Sequence, residues 1–368
     1  MIFSGRSNPD KVLVIIGLLY RSHPSKPGLD VAKILSHIFR KVEVLFLPVL
    51  AFDSLAQLMW CWIFREVLVL LKILKNRSEI KLIVIHQMVV ISGCFIGKLL
   101  GAKVIIYVGG SIYEGFYQRG FAKIAAAASI ILWKLQLRLA DIILIPSNQI
   151  INLSKLTGYI YKVRVAPTRF IRINEENKYG VDEISKRENV VGYIGRFEIE
   201  KGVEMLPKVI HLTIKTRKIS DLKWILVGDG SLRQKIENEI RRLNLLNFVQ
   251  ITGWVKNPEA YLTKMKLLLL PSKSEGIPNV ILEAMACGTP VLSTPVGALP
   301  DIIRDGETGF LLKSNNPEHI ANRIIELLSN TELLEKVSKN AYKYVRENFS
   351  YEKTLQAWQK IFQQLRQV

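Results

Sequence analysis

Two glutamates and a helix start lie together in one stretch of the sequence. Glu275 and Glu283 are separated by seven residues, and the segment between them opens with Gly276, Ile277, Pro278 and Asn279. Free N–H groups at a helix start suit a phosphate, whereas carboxylates suit the hydroxyls of a ligand. A nucleoside diphosphate sugar offers both. The spacing alone leaves open that Glu275 is a loop charge and Glu283 a solvated helix residue.

The residues around the glutamates predict a strand, a loop and a short helix in that order. Leu267 to Leu270 show no polar alternation, as expected for a parallel strand buried on both faces. Pro278 suits the first position of the helix, and Gly288 suits the position just past its end. The loop therefore opens at the carboxyl end of a strand, where ligands of open α/β sheets bind.

A second charged segment is suited to the phosphates of such a ligand. Arg196 follows a predicted strand, and Lys201 lies at the start of the next helix. An arginine can bind two oxygens at once, and a lysine acts as a compact point charge. The alternative is a solvated turn in which both cations pair with nearby carboxylates, namely Glu198, Glu200 and Glu204.

Both segments resemble motifs of one known family. The stretch that begins at Glu275 and continues to Val291 resembles the E-x7-E signature of family 4 of the retaining glycosyltransferases, the glycosyl transferases group 1. The stretch from Gly195 to Gly202 resembles the G-R-x-x-x-x-K-G element of the same family. The resemblance covers the chain from about Val190 to Leu328. It implies the GT-B fold, an α/β architecture of two tandem Rossmann-like domains facing a central cleft.

The resemblance also implies roles for particular residues. Glu275 is expected at the donor sugar, Glu283 at the nucleotide ribose, and Arg196 and Lys201 at the donor diphosphate. Trp254, which follows a predicted strand, is expected beside the nucleotide base, although a buried aromatic is an equally good interpretation. No metal and no cofactor is expected, and the co-substrate is expected to be a UDP-sugar or a GDP-sugar.

One segment departs from the family pattern. Many members place a histidine near the reacting sugar, where this chain has Gly109, Gly110 and Ser111. Gly110 and Ser111 are therefore expected to contact the substrate through the backbone and a hydroxyl. His86 ends the preceding predicted strand, but a lone histidine in that position is more often structural.

Length and charge point to two domains of unequal character. The chain has 368 residues, which suits two α/β domains. Residues 1–170 contain 22 Lys and Arg against 8 Asp and Glu, or +14 of the total net charge of +19. Such a basic half favours an anionic membrane surface, an acidic substrate or a nucleic acid. Nucleic acid is disfavoured because no recognition motif is present.

The order of predicted elements supports this organisation. Alternating strands and helices predict a parallel, doubly wound sheet in each half. We expect an N-terminal domain at residues 1–172, a polar linker at 173–189 and a C-terminal domain at 190–350, with the last helix at 351–368 returning to the first domain. No G-x-G-x-x-G follows the first strand, which argues against an NAD-binding domain.

Two helices of the first half, at Leu55 to Leu74 and Phe121 to Ala140, are unusually apolar. The charges of Arg65, Glu66 and Lys72 make a membrane span costly, at about 2.5–3.5 kcal/mol for each central charge. Two interpretations remain, namely helices that lie in a membrane interface and helices that cover the sheet as part of the core.

The resemblance, together with the residues that carry it, implies a retaining, metal-independent glycosyltransferase. Its acceptor would be a saccharide or a lipid-linked molecule, in polysaccharide or glycolipid synthesis. Three widely spaced cysteines and the absence of a signal-peptide pattern favour a cytoplasmic location, peripheral to the inner face of the membrane. The alternatives are a sugar-nucleotide 2-epimerase of the same fold and a catalytically silent nucleotide-sugar-binding protein.

Overall fold

The computed structural model describes residues 11–19, 23–24, 26–48, 55–86, 89–109, 123–171 and 183–366. Contacts within the chain divide it into two compact units. The first unit comprises Met1–Arg169 and Thr354–Val368, and the second comprises Phe170–Lys353. The described part of the segment expected as a linker includes buried Ile184 and Arg187, which pack within the second unit.

The first unit is built on a seven-stranded sheet. Its strands are β1 (Lys11–Leu19), β2 (His23–Pro24), β3 (Val42–Pro48), β4 (Ile80–His86), β5 (Lys103–Tyr107), β6 (Ile142–Ile145) and β7 (Val163–Val165). Six of them run parallel in the order β3-β1-β4-β5-β6-β7, and β2 pairs antiparallel with the end of β1. Buried runs of Val, Ile and Leu form the core of this sheet, as is typical of parallel strands.

The helices described in the first unit connect these strands. They are α1 (Lys26–Ile38), α2 (Leu55–Lys75), α3 (Ile91–Leu99), α4 (Lys123–Leu139) and α5 (Gln149–Leu153). Helix α1 begins at Lys26, directly before Pro27. Pro27 does not prevent this, since proline is tolerated in the first turn of a helix.

The second unit contains a six-stranded parallel sheet in the order β10-β9-β8-β11-β12-β13. Its strands are β8 (Val190–Ile194), β9 (Lys223–Val227), β10 (Val249–Gly253), β11 (Leu267–Leu270), β12 (Val291–Ser293) and β13 (Phe310–Leu311). The chain moves outward from β8 to β10 in one direction and from β11 to β13 in the other. The alternation of strands and helices predicted for each half of the chain is thus present in both units.

Helices of the second unit and the C-terminus complete the fold. They are α6 (Leu206–Lys215), α7 (Arg233–Arg242), α8 (Glu259–Leu262), α9 (Asn279–Ala286), α10 (Leu299–Ile302), α11 (Pro317–Leu328), α12 (Thr331–Phe349) and α13 (Tyr351–Arg366). Helix α13 packs on the first unit, where the Trp358 indole N–H donates to the carbonyl of Pro167 at 2.8 Å. Phe362 of the same helix lies edge-on to Phe39.

Candidate functional site

The candidate site lies where the strand order of the second sheet reverses. Strands β8 and β11 are neighbours, with Val191 paired to Leu267, although they are far apart in sequence. Their following loops therefore leave the sheet side by side at its carboxyl edge. Ligands of open α/β sheets bind at such a switch point. The fold thus brings the loop of Arg196 and Lys201 next to the loop of Glu275.

An ion pair joins the two loops. The Lys201 Nζ lies 2.7 Å from Oε1 of Glu275, and the side chains are only 19% and 5% exposed. The buried Ser272 hydroxyl donates to the same carboxylate oxygen at 2.7 Å. The Thr294 hydroxyl, on the loop after β12, donates to the carbonyl of Ser272 at 2.5 Å. Glu275 is therefore held in one orientation by donors from different parts of the chain.

The other charged residues of the loop after β8 form their own ion pairs and hydrogen bonds. Arg196 donates to Glu200 at 2.6 Å in a pair that is largely exposed to solvent. Glu204 pairs with Lys273 instead, and Glu198 accepts hydrogen bonds from Ser231. Of the alternative in which both cations pair with Glu198, Glu200 or Glu204, the structure thus shows the pair of Arg196 with Glu200, whereas Lys201 pairs with Glu275.

Two glycines allow the loops to approach this closely. Gly297 has φ +62°, and a Cβ built on it would lie 1.7 Å from the carbonyl oxygen of Glu275. Gly202, directly after Lys201, has φ +66°, and its Cβ would lie 2.1 Å from the carbonyl oxygen of Pro271. A side chain at either position would be strained and would push the Glu275 loop away.

Helix α9 carries the second glutamate. Its N-cap is Pro278, with ψ of 131°, so the first helical residue is Asn279 and the expectation for Pro278 is wrong by one position. Proline has no backbone N–H group, and its extended conformation here leads the chain into the helix without needing one. Asn279 and Glu283, four residues apart, lie on one face of the helix and are both half-buried. Gly288 follows the helix with φ +62°, as predicted.

The rest of the helix start is fixed by packing. Ile277 is buried, so its side chain belongs to the core and its backbone is the part that remains for a ligand. Gly276 is half-buried and precedes it directly in the loop. The structure therefore places all four predicted residues of this segment beside the Glu275 loop.

Arg187 supports the far end of this helix, and sequence reasoning missed it. Its buried guanidinium donates to the carbonyl of Cys287, the C-cap of α9, at 2.8 Å. It also donates to the carbonyl of Met265 at 2.8 Å and to the hydroxyl of Thr289 at 2.9 Å. A cation at a helix C-terminus is favourable, and here it connects the helix to the residues before β11.

Trp254 follows β10 at the same edge of the sheet and is 77% exposed. The alternative of a buried aromatic is therefore wrong. The preceding carbonyl of Gly253 accepts a hydrogen bond from the N–H of Gly228, which ties the β10 loop to the β9 loop. The indole itself stands free of the core and is available for stacking.

Other predicted features fall outside the site or outside the described residues. Gly110 and Ser111 lie outside the described residues, and Gly109 is half-buried at the end of the β5 segment. Within the described ranges, no group of three or more His, Cys, Asp and Glu is placed to hold a metal ion. Across the same ranges, no helix has the length and apolar character required to cross a membrane.

The second half of the chain is similar to a large enzyme family. Residues 174–344 match the family model of the glycosyl transferases group 1. An uncharacterized glycosyltransferase of Methanocaldococcus jannaschii is 35% identical over 47% of this chain and 47% of its own length. The N-acetyl-alpha-D-glucosaminyl L-malate synthase of Bacillus anthracis is 32% identical over 51% of this chain and 48% of its own length. The chain thus aligns with about half the length of these relatives.

A solved structure is similar over nearly the whole chain. Anabaena HepE in complex with UDP superimposes with a TM-score of 0.74 at 19% sequence identity, covering 97% of this chain and 100% of HepE. The GT-B fold is confirmed. The same protein has been solved with UDP-glucose, at a TM-score of 0.71.

Proposed function

We propose that this protein is a retaining, metal-independent glycosyltransferase. It transfers a hexose from a nucleoside diphosphate sugar to a saccharide or lipid-linked acceptor at the cytoplasmic face of the membrane, in polysaccharide or glycolipid synthesis. The observation that carries the proposal is the buried pair of Lys201 and Glu275 at the switch point of the second sheet. The match of residues 174–344 to the group 1 glycosyl transferases supports it.

The cations serve the leaving group. When the bond from the sugar to the diphosphate breaks, negative charge grows on the diphosphate, and preorganised positive charge at that point lowers the barrier. Lys201 is held by a neighbouring loop and needs little reorganisation, whereas the exposed Arg196 can turn from Glu200 to a phosphate. N–H groups at the start of α9 add to this field.

The carboxylates serve the hydroxyls of the donor. Glu275 is oriented by Lys201 and Ser272, so it can accept hydrogen bonds from the sugar in a fixed geometry. Glu283 lies along the same helix face as Asn279 and would accept from the ribose hydroxyls. Trp254, which is exposed on the loop after β10, would contact the base. Gly110 and Ser111 remain proposed contacts of the sugar.

The donor is a UDP-sugar or a GDP-sugar. Complexes of HepE with UDP and with UDP-glucose favour uridine, since that protein has the same fold. Transfer with retention then proceeds by attack of the acceptor from the side that the diphosphate leaves. This route requires no basic nucleophile on the protein, because the departing phosphate can take the acceptor proton.

Calorimetry against a panel of UDP-, GDP- and ADP-sugars tests this function. We expect one donor to bind, and Glu283→Ala to weaken it at least about tenfold through loss of charge-assisted hydrogen bonds. Glu332→Ala, an exposed glutamate on α12, is the matched control and should bind as the wild type does. Binding that Glu283→Ala leaves unchanged, or no binding of any donor, would overturn the assignment.

Proton NMR on the donor separates the enzyme classes. A new sugar formed from the donor alone would indicate an epimerase. Slow hydrolysis of the donor, or transfer to an added acceptor with the same anomeric configuration, is what the proposed activity predicts.

A further inference from the structure

Three neighbouring helices of the first unit present apolar side chains to solvent. Helix α3 packs against both α2 and α4, so the three helices form one continuous layer. Large apolar residues on it are more than half exposed, namely Trp60, Phe64, Leu71, Phe95, Leu99 and Ile131. Scattered single residues of this kind are ordinary, but a contiguous patch usually marks an interaction surface.

Helix α2 has two apolar faces. Cys61, Val69 and Ile73 are buried against the rest of the unit, as expected for a helix that covers a sheet. Trp60, Phe64 and Leu71 follow the same helical spacing on the opposite side and are exposed. A helix that only covered the core would have a polar outer face. The outer apolar face therefore needs a partner of its own.

The helices of this layer carry mostly positive charge, although Lys72 pairs with Glu43 and Lys98 pairs with Asp141. Helices α2, α3 and α4 contain seven Lys and Arg and only one acidic residue, Glu66. The Glu66 carboxylate accepts hydrogen bonds from the N–H groups of Ile91 and Ser92 at 2.9 and 2.7 Å, so its charge is directed to the start of α3. On α4 the exposed Lys134 and Arg138 lie beside Ile131. The apolar patch is thus bordered by positive charge.

We propose that this layer is a docking surface for an anionic lipid bilayer, with Trp60 and Phe64 entering the interface and the basic residues contacting lipid headgroups. The proposal rests on the proposed function, because it places the first unit where a lipid-linked acceptor would be found. Apolar residues bordered by Lys and Arg are the pattern of helices that lie in a membrane interface. A second copy of the chain fits less well, since two such basic faces would repel each other.

Vesicle co-sedimentation of the full chain, without any donor, tests the surface. We expect binding to vesicles of phosphatidylcholine with phosphatidylglycerol, little binding to phosphatidylcholine alone, and weaker binding at high salt. The double variant Lys134→Glu/Arg138→Glu should lower the partition coefficient at least about tenfold. Lys339→Glu/Lys343→Glu on α12, with the same spacing and exposure, is the control and should leave it unchanged.

A second experiment tests the apolar contacts. In vesicles with brominated acyl chains, the fluorescence of the protein should be quenched, and Trp60→Phe should lose most of that quenching. Phe64→Ser/Leu71→Ser should bind vesicles about tenfold more weakly, whereas Leu246→Ser, an exposed residue of the second unit, should not. These substitutions replace exposed side chains, so folding is expected to persist.

Each outcome bears on the proposal. Equal binding to both kinds of vesicle, absence of binding, or concentration-dependent dimers that Phe64→Ser/Leu71→Ser dissolves would overturn it. Nucleotide-sugar binding is measured separately and does not require vesicles. Loss of vesicle binding with intact donor binding would therefore contradict the docking surface while leaving the proposed activity standing.

Discussion

The carboxyl edges of the two sheets carry opposite kinds of chemistry. In the second unit, Lys201 and Glu275 bring full charges to that edge and neutralise each other at 2.7 Å. In the first unit, the ends of β4 and β5 bring together two rings, with His86 stacked on Tyr107 at 4.9 Å between centroids. The Thr168 hydroxyl donates to the Tyr107 oxygen at 2.7 Å.

Burial keeps the two rings at the edge of the first sheet uncharged. It lowers the pKa of His86 to about 3, with a further contribution from the positive charge of Arg169. It also raises the pKa of Tyr107 to about 12. The carboxyl edge of the second sheet thus carries a pair of full charges, whereas that of the first sheet carries a buried, uncharged pair of rings. The difference resides in side chains at the strand ends of the first sheet and on the following loops of the second, which is why fold alone does not define function.

The charged edge of the second unit depends most on the loop that positions Glu275. Gly297→Ala should displace this loop. The new Cβ would meet the Glu275 carbonyl oxygen and would also occupy a left-handed conformation. We expect donor binding to be lost and the free energy of unfolding to fall by about 2 kcal/mol more than in the control. The control is Gly306→Ala, where φ is +74° but nothing lies within 4 Å of the Cβ. Urea unfolding and calorimetry measure both effects, and equal results for the two variants would contradict the role of Gly297.

The buried, uncharged His86 of the first unit should make the stability of the protein depend on pH. Because the pKa of His86 is lower in the folded state than its ordinary value of 6.5, the unfolded state binds the proton first as pH falls. Stability attributable to His86 is therefore complete above pH 6.5 and is lost towards pH 3, by up to about 1.4 kcal/mol per pH unit. His86→Gln should flatten this slope in urea unfolding between pH 6.5 and 4. A slope that the substitution leaves unchanged would mean that His86 is not buried in its neutral form.

The smallest expected effect on donor binding concerns the exposed ion pair of Arg196 and Glu200 in the second unit. Glu200→Gln should free Arg196 for the diphosphate and strengthen donor binding by less than about fivefold, because exposed pairs contribute about 0.2–1 kcal/mol. The gain should shrink at high salt. Calorimetry at two salt concentrations measures it. Weaker binding in Glu200→Gln would indicate that Glu200 itself contacts the donor.

Sequence reasoning succeeded where local rules decide the structure. The apolar run of β11 and the end of α9 before Gly288 are determined by residues close to them in the chain, whereas Pro278 was placed one position too far into the helix. The spacing of Arg196 with Lys201 and of Glu275 with Glu283 likewise singled out the two charged loops in the sequence. These features allowed the α/β class to be predicted, the resemblance implied the GT-B fold, and the binding roles of the two loops stay a prediction.

Contacts between distant residues were not accessible in this way. The partner of Lys201 lies 74 residues away, and only the adjacency of β8 and β11 brings it near. Arg187 lies in a polar stretch that resembles a linker, yet it is buried because the carbonyls of Met265 and Cys287 and the hydroxyl of Thr289, all far along the chain, accept its hydrogen bonds. The pair of His86 and Tyr107 likewise follows from the order of β4 and β5 in the sheet.

The central claim is that the charged edge of the second unit binds a diphosphate. Calorimetry of UDP, GDP and the matching nucleosides on the wild type and on Lys201→Gln tests it most directly, because glutamine can still donate to Glu275. We predict that one nucleoside diphosphate binds the wild type at least about tenfold more tightly than its nucleoside, as expected for charge-assisted contacts. Lys201→Gln should remove most of that difference and leave nucleoside binding unchanged. A variant that binds the diphosphate as tightly as the wild type would contradict the account.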